Sequence, residues 1–94
     1  MNQLPSRELL EATHSFPGPY TFKAIGAADD HFVGRVVAAV RCQLGEEIEP
    51  SFSTRSTSGG RHVCVTIEPS VADADEVLLI YANLREVEGL VLLL

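Results

Sequence analysis

Few side chains in this sequence are equipped for chemistry. They are Cys42 and Cys64, the three histidines His14, His31 and His62, the pair Asp29-Asp30, Lys23, and the turn Ser58-Gly59-Gly60. A reactive thiolate needs a base beside it and an electropositive pocket. His62 and Cys64 are the one Cys/His proximity: two positions apart on an alternating segment, they share a side of a strand. Only Arg55 and Arg61 are near them in sequence, so the plainer assignment is the outer surface of a sheet. A zinc site would gather about four ligands at short spacing. Neither cysteine has a Cys-x-x-Cys neighbour or a histidine at ligand spacing, so no metal is expected. Both are expected to be small, buried or half-buried free thiols in a reducing cytosol. Asp29 and Asp30 adjoin His31 as an acid/base pair would. Aspartate is also a preferred helix cap, and capping is the simpler role here, with His31 exposed in the first turn. Ser58-Gly59-Gly60 lacks the longer phosphate-loop pattern and leads into a strand, so no helix N-terminus would face a phosphate. It reads as a hairpin turn. Lys23 would either reach an acidic group on a ligand or stand solvated on an open face. No catalytic constellation and no cofactor motif emerge.

The elements that must carry these residues follow from periodicity. Ser6 can cap a short helix from Arg7 to Ala12, helped by Glu8. Phe16-Pro17-Gly18-Pro19 forbids helix and forces an extended or turning entry. Tyr20 to Ile25 alternates as a strand, with Gly26 expected to end it. Val33, Val36, Val37, Val40 and Leu44 then form one face of a helix that stops at Gly45. Ser51 to Thr57 is polar and reads as an edge strand whose one large apolar residue is Phe52. Arg61 to Ile67 alternates cleanly: Val63, Val65 and Ile67 share one face, and His62, Cys64 and Thr66 the other. Ser70 is expected to open a second helix with Asp73 in a capping-box-like arrangement. That helix presents Ala74, Val77, Leu78, Tyr81 and Leu84. The last strand spans Val87 to Leu94. There Leu90, Leu92 and Leu94 alternate with Val91 and Leu93, so both faces are apolar.

The resulting order is β-α-β-β-α-β after a short N-terminal helix. It defines an α+β, ferredoxin-like sandwich: a four-stranded antiparallel sheet with two helices on one face. Right-handed crossovers put the first and third strands in the centre. Residues 1–15 are expected to be an N-terminal extension and 16–94 a single ferredoxin-like domain. With 94 residues, roughly 60–65 % of the unfolded surface is buried on folding, enough for a modest core. Thirteen acidic residues against seven basic ones leave a net charge of -6, the wrong sign for a general nucleic-acid or anionic-membrane binder. RNA-recognition domains on this fold stack bases on aromatics of the open face, and His62, Cys64 and Thr66 offer none. Metal carriers on this fold would show Cys-x-x-Cys in the first loop, and residues 26–30 have none. Neither 77–80 nor 90–94 is long enough to span a membrane, and the N-terminus lacks a signal-peptide core. The expected location is the cytoplasm.

At Phe16-Pro17-x-x-Tyr20-Thr21-Phe22-Lys23-Ala24-Ile25-Gly26 the sequence resembles the opening Phe-Pro-x-x-Phe-x-Phe-Lys-Val-x-Gly of the YbeD-like proteins, small bacterial proteins of unknown function. The valine-rich helix, the Ser56-x-x-Gly59 hairpin, the strand from Val63 to Ile67 and the Tyr81 helix extend the resemblance over about Ser15 to Leu94. The chain departs from the pattern in the hairpin, where Gly59-Gly60-Arg61-His62 has no tyrosine and is about one residue shorter. The family is similar in fold to ACT-type regulatory domains, which bind amino acids or other small effectors between subunits. The resemblance implies regulation or protein interaction and carries over no catalytic residue. The function expected is therefore a regulatory or protein-interaction module without catalytic activity, acting on another protein or on a second copy as a homodimer. Its candidate surface residues are Lys23 and His62 on the open face and Leu90, Leu92 and Leu94 on the last strand. The alternative is an ACT-like metabolite sensor with a dimer-interface pocket at residues 26–30, beginning at Gly26.

Overall fold

The computed structural model describes residues 4–29, 31–45, 47–57 and 59–94. Asp30, Glu46 and Ser58, assigned above to a cap, an acidic connection and a turn, lie outside the described residues, as do residues 1–3. The elements in chain order are α1 (Arg7–Thr13), β1 (Gly18–Pro19), β2 (Phe22–Ala27), α2 (Phe32–Leu44), β3 (Phe52–Ser56), β4 (His62–Ile67), β5 (Ser70–Val71), α3 (Ala74–Arg85) and β6 (Leu90–Leu93). The main sheet runs β3-β4-β2-β6, with every neighbouring pair antiparallel. This is the ferredoxin-like order, with the first and third long strands, β2 and β4, at its centre.

Local chemistry explains most of the boundaries. Ser6 Oγ accepts a hydrogen bond from the Leu9 amide at 3.1 Å and starts α1 as expected. α1 buries Leu10 to 1 % exposure and lies on α3, where Arg7 pairs with Asp75. That ion pair is solvent-exposed and contributes little, so α1 is held chiefly by Leu10. At the start of α2 the expected aspartate cap is not made by Asp29: His31 is the N-cap, with no side-chain cap bond. Asp29 stands two residues earlier, where its Oδ1 accepts from the His31 amide at 2.8 Å and its other oxygen receives Arg35 at 2.9 Å. The Arg35 guanidinium, followed by the His31 amide, holds the Asp29 carboxyl below the usual carboxylate range.

The structure corrects several boundaries. Gly26 lies inside β2 and does not end it. Ser70 belongs to strand β5, because Gly18–Pro19 pairs with it and Val71 in a second, two-stranded ladder. α3 therefore begins three residues late, capped by Asp73, whose Oδ1 accepts from the Glu76 amide at 2.9 Å. Glu76 reaches back to the Ala72 amide at 2.8 Å, so the capping box uses Asp73 and Glu76. Tyr20 leaves the central ladder because its amide bonds the Pro69 carbonyl, and β2 starts at Phe22. The last strand starts at Leu90, after a turn in which Gly89 takes φ 91°. Cys42 is exposed and not half-buried, because the core face of α2 is formed by Phe32, Val36 and Val40.

Sheet and helices meet in one core. Phe22 and Ala24 of β2, Val65 and Ile67 of β4, and Leu93 of β6 face Phe32, Val36 and Val40 of α2 and Val77, Ile80, Tyr81 and Leu84 of α3. Phe32 precedes the valine stripe and is fully buried, while Val33 is only partly so. Its ring fills the space over Gly26. A Cβ on residue 26 would stand 2.3 Å from two ring atoms and 2.6 Å from the Gly89 carbonyl oxygen. Opposite this point the pairing of β2 with β6 shifts register between Ile25 and Gly26, so Gly26 faces Leu90. Arg35 completes the junction, donating from Nε to the Glu88 carbonyl at 3.1 Å. Gly26→Ala is expected to destabilise the protein by at least about 1–3 kcal/mol, the usual cost of overpacking, because one of the obstructing atoms is backbone. Urea unfolding of the variant beside the parent checks this.

Candidate functional site

α2 and α3 cover one face of the sheet and leave the other bare. Register identifies the residues on the bare face. Arg55, Cys64, Ile25 and Leu92 form one row across all four strands. Ser53, Thr66 and Lys23 form the next, extended by Leu94, which exchanges backbone hydrogen bonds with Lys23 at 2.8 and 3.1 Å. His62 and Ala27 begin a third. Beyond Lys23, Thr21 donates its hydroxyl to Glu68 at 2.6 Å. The centre of the face is half-buried and mixed in character, made by Ile25, Cys64, Thr66 and Leu92. Lys23 and Arg55 are exposed beside it.

The residues singled out in the sequence fall in different places. Lys23, His62, Leu92 and Leu94 are brought onto the bare face, with Leu94 57 % exposed. Leu90 is separated from them by the register shift and packs against the core. It borders a concavity of about 130 Å³ with Leu4, Arg85, Val91 and Leu93. Gly26 is buried beneath Phe32, which leaves no room there for a ligand. A second, shallow depression of about 190 Å³ lies at Ser51, Phe52, Ser53, Thr66 and Glu68. Arg55 was not singled out as a surface residue. Its signal was a lone cation on an otherwise hydroxyl-rich strand.

Among the described residues no cluster of three or more His, Cys, Asp or Glu side chains is arranged to hold a metal ion. The histidines stay apart: His14 packs at a tilt against Tyr20 with ring centres 4.9 Å apart, His31 precedes α2, and His62 is on β4. No helix among the described residues is long and apolar enough to cross a membrane.

These features define a small ferredoxin-like α+β protein with one uncovered sheet face. A family model described as "Protein of unknown function (DUF493)" matches residues 11–94, and the chain belongs to that family. It is similar to a UPF0250 protein of Shewanella piezotolerans, 35% identical over 82 residues that cover 87% of this chain and 86% of the relative. A UPF0250 protein of Shewanella oneidensis is 32% identical over 82 residues with the same coverage. One from Shewanella baltica is 31% identical over 74 residues, 79% of this chain and 82% of its own. The resemblance to the YbeD-like proteins, read from the opening motif, holds.

Under the sheet, at the start of β2, lies a polar contact that sequence periodicity did not reveal. The hydroxyls of Tyr20 and Tyr81 are 3.1 Å apart, and both rings pack on Phe22 with centres 4.9 Å away. Tyr81 is only 4 % exposed. Burial, reinforced by the Tyr20 hydroxyl, pushes the Tyr81 phenol well above its ordinary value. The unfolded phenol loses its proton near pH 10, and the folded one resists doing so. Stability from this source is therefore complete below about pH 10 and falls as the pH rises beyond it. Urea midpoints measured from pH 8 to pH 11 are expected to show that fall in the parent and a shallower one in Tyr81→Phe.

Proposed function

We propose that the protein is a non-catalytic interaction module that binds its partner on the bare sheet face. The observation that carries this reading is the placing of two cations, Lys23 and Arg55, beside the half-buried centre of that face. Arg7, Arg35 and Arg41 each pair with a carboxylate. Lys23 and Arg55, on the bare face, make no ion pair among the described residues, and neither do Arg61 beside the hairpin and Arg85 at the end of α3, although the chain carries a net charge of -6. Cations left unpaired beside the half-buried Ile25, Cys64 and Leu92 suit contact with another protein better than they suit solvent alone. Leu94 extends the apolar side of that face to the sheet edge. The absence of catalysis in this reading is supported by Cys64 and His62, which lie on one strand face with no carboxylate at their register positions. The free thiols of Cys42 and Cys64 fit a reducing cytoplasm.

A photoreactive group attached to Cys64 in a Cys42→Ser background tests the reading. In lysate from the native cells it is expected to link a discrete protein, and Lys23→Glu with Arg55→Glu is expected to abolish that product without moving the melting midpoint. A product unaffected by both substitutions, or none at all, would overturn it. A melting midpoint raised by a free amino acid would instead favour the metabolite-sensor alternative.

A further inference from the structure

The outer edge of β3 is a second feature, separate from the bare face because it consists of main-chain groups. β3 ends the sheet order, and all five of its residues are exposed. Its ladder with β4 includes donation from the Glu68 amide to the Ser51 carbonyl and from the Thr57 amide to the His62 carbonyl. In an antiparallel pair the main-chain groups of alternate residues turn the other way. Phe52, Thr54 and Ser56 therefore direct their amides and carbonyls away from β4, into solvent. Natural sheets guard such an edge with a proline, a bulge, a covering element or repeated charge. β3 contains no proline, pairs with β4 without a register shift, and carries Arg55 as its one charge. The opposite edge strand, β6, pairs through a bulge.

We infer that the edge of β3 accepts an extended segment of another protein, in which apolar and acidic residues alternate, as an added fifth strand. The segment's main chain would bond Phe52, Thr54 and Ser56. Side-chain chemistry follows from register. Phe52, opposite Ile67 on the helix side of the sheet, is 48 % exposed and offers an apolar contact to alternate residues of the incoming segment. Arg55, opposite Cys64 on the bare side, offers an unpaired cation to the residues between them. Arg61, exposed just beyond the hairpin, adds a further positive charge near that end. Main-chain pairing supplies affinity and the alternating side chains supply selectivity, as in other cases of strand addition. Five residues of β3 span about 17 Å, room for a segment of five or six residues.

The test is an amide NMR titration of the full chain with a blocked peptide of alternating valine and glutamate. A valine–lysine peptide serves as control. The expected result is shifts and slowed exchange at Phe52, Thr54 and Ser56 with the glutamate peptide alone. Thr54→Pro removes one outward amide and no ladder bond, so the fold persists while binding weakens by about tenfold or more. Arg55→Glu weakens the glutamate peptide and admits the lysine one. Lys23→Glu, remote from the edge, leaves the titration unchanged, so failure here and failure of the bare-face reading are distinguishable. Shifts absent from β3, equal binding of both peptides, or full binding by Thr54→Pro would overturn the inference. Concentration-dependent protection of the same amides without peptide would overturn it too, by showing that the occupant is a second copy.

Discussion

The ring of Phe32 occupies the space where a side chain on residue 26 would be, and the Gly89 carbonyl closes the same space from the other side. Three elements meet at that point: the central strand β2, the start of α2, and the turn that feeds β6. None can shift without the others. A glycine inside β2 lets a full aromatic ring lie flush on the sheet, and burying such a ring is worth about 1.5–3 kcal/mol. The same close approach coincides with the register shift that brings Leu90 opposite Gly26. Arg35, whose guanidinium lies 5.9 Å from the centre of the Phe32 ring, ties the junction to Asp29 and to the Glu88 carbonyl.

With the helices anchored there, the two sides of the sheet acquire different characters. One side is apolar: among the described residues the core holds no buried charged side chain, and its polar feature is the hydroxyl contact between Tyr20 and Tyr81. The other keeps a half-buried centre with Lys23 and Arg55 beside it. The acidic residues take local roles elsewhere. Asp73 and Glu76 cap α3, Asp29 receives Arg35, Glu49 receives Arg41, and Glu68 receives the Thr21 hydroxyl. The excess negative charge is thus spread over caps and connections, and the bare face carries Lys23 and Arg55 in its exposed positions.

Much of the fold was legible in the residues. The clean alternation from Arg61 to Ile67, the valine periodicity of α2 and the Ser6 cap each express a preference that neighbouring residues settle among themselves. The candidate face was legible in part. Alternation placed Lys23, His62, Cys64 and Thr66 on one side, because strand geometry has a period of two. It could not place Leu90, since a bulge breaks that period through contacts made far along the chain. Ser70 misled for a similar reason. Its fit to a helix cap is local, but its pairing with Gly18–Pro19 is not.

The sequence alone determined the order of the helices and the four long strands, the antiparallel sandwich, the acidic balance and the family, since propensity, capping, turn chemistry and motif all reside in short stretches. Tertiary structure decided which glycine sits under an aromatic ring, which tyrosines share a hydroxyl contact, which cations lack a partner, and which edge of the sheet is unguarded. Each of these depends on residues distant in the chain meeting at a few ångströms. No local pattern specifies such a meeting until the core has closed around Phe32.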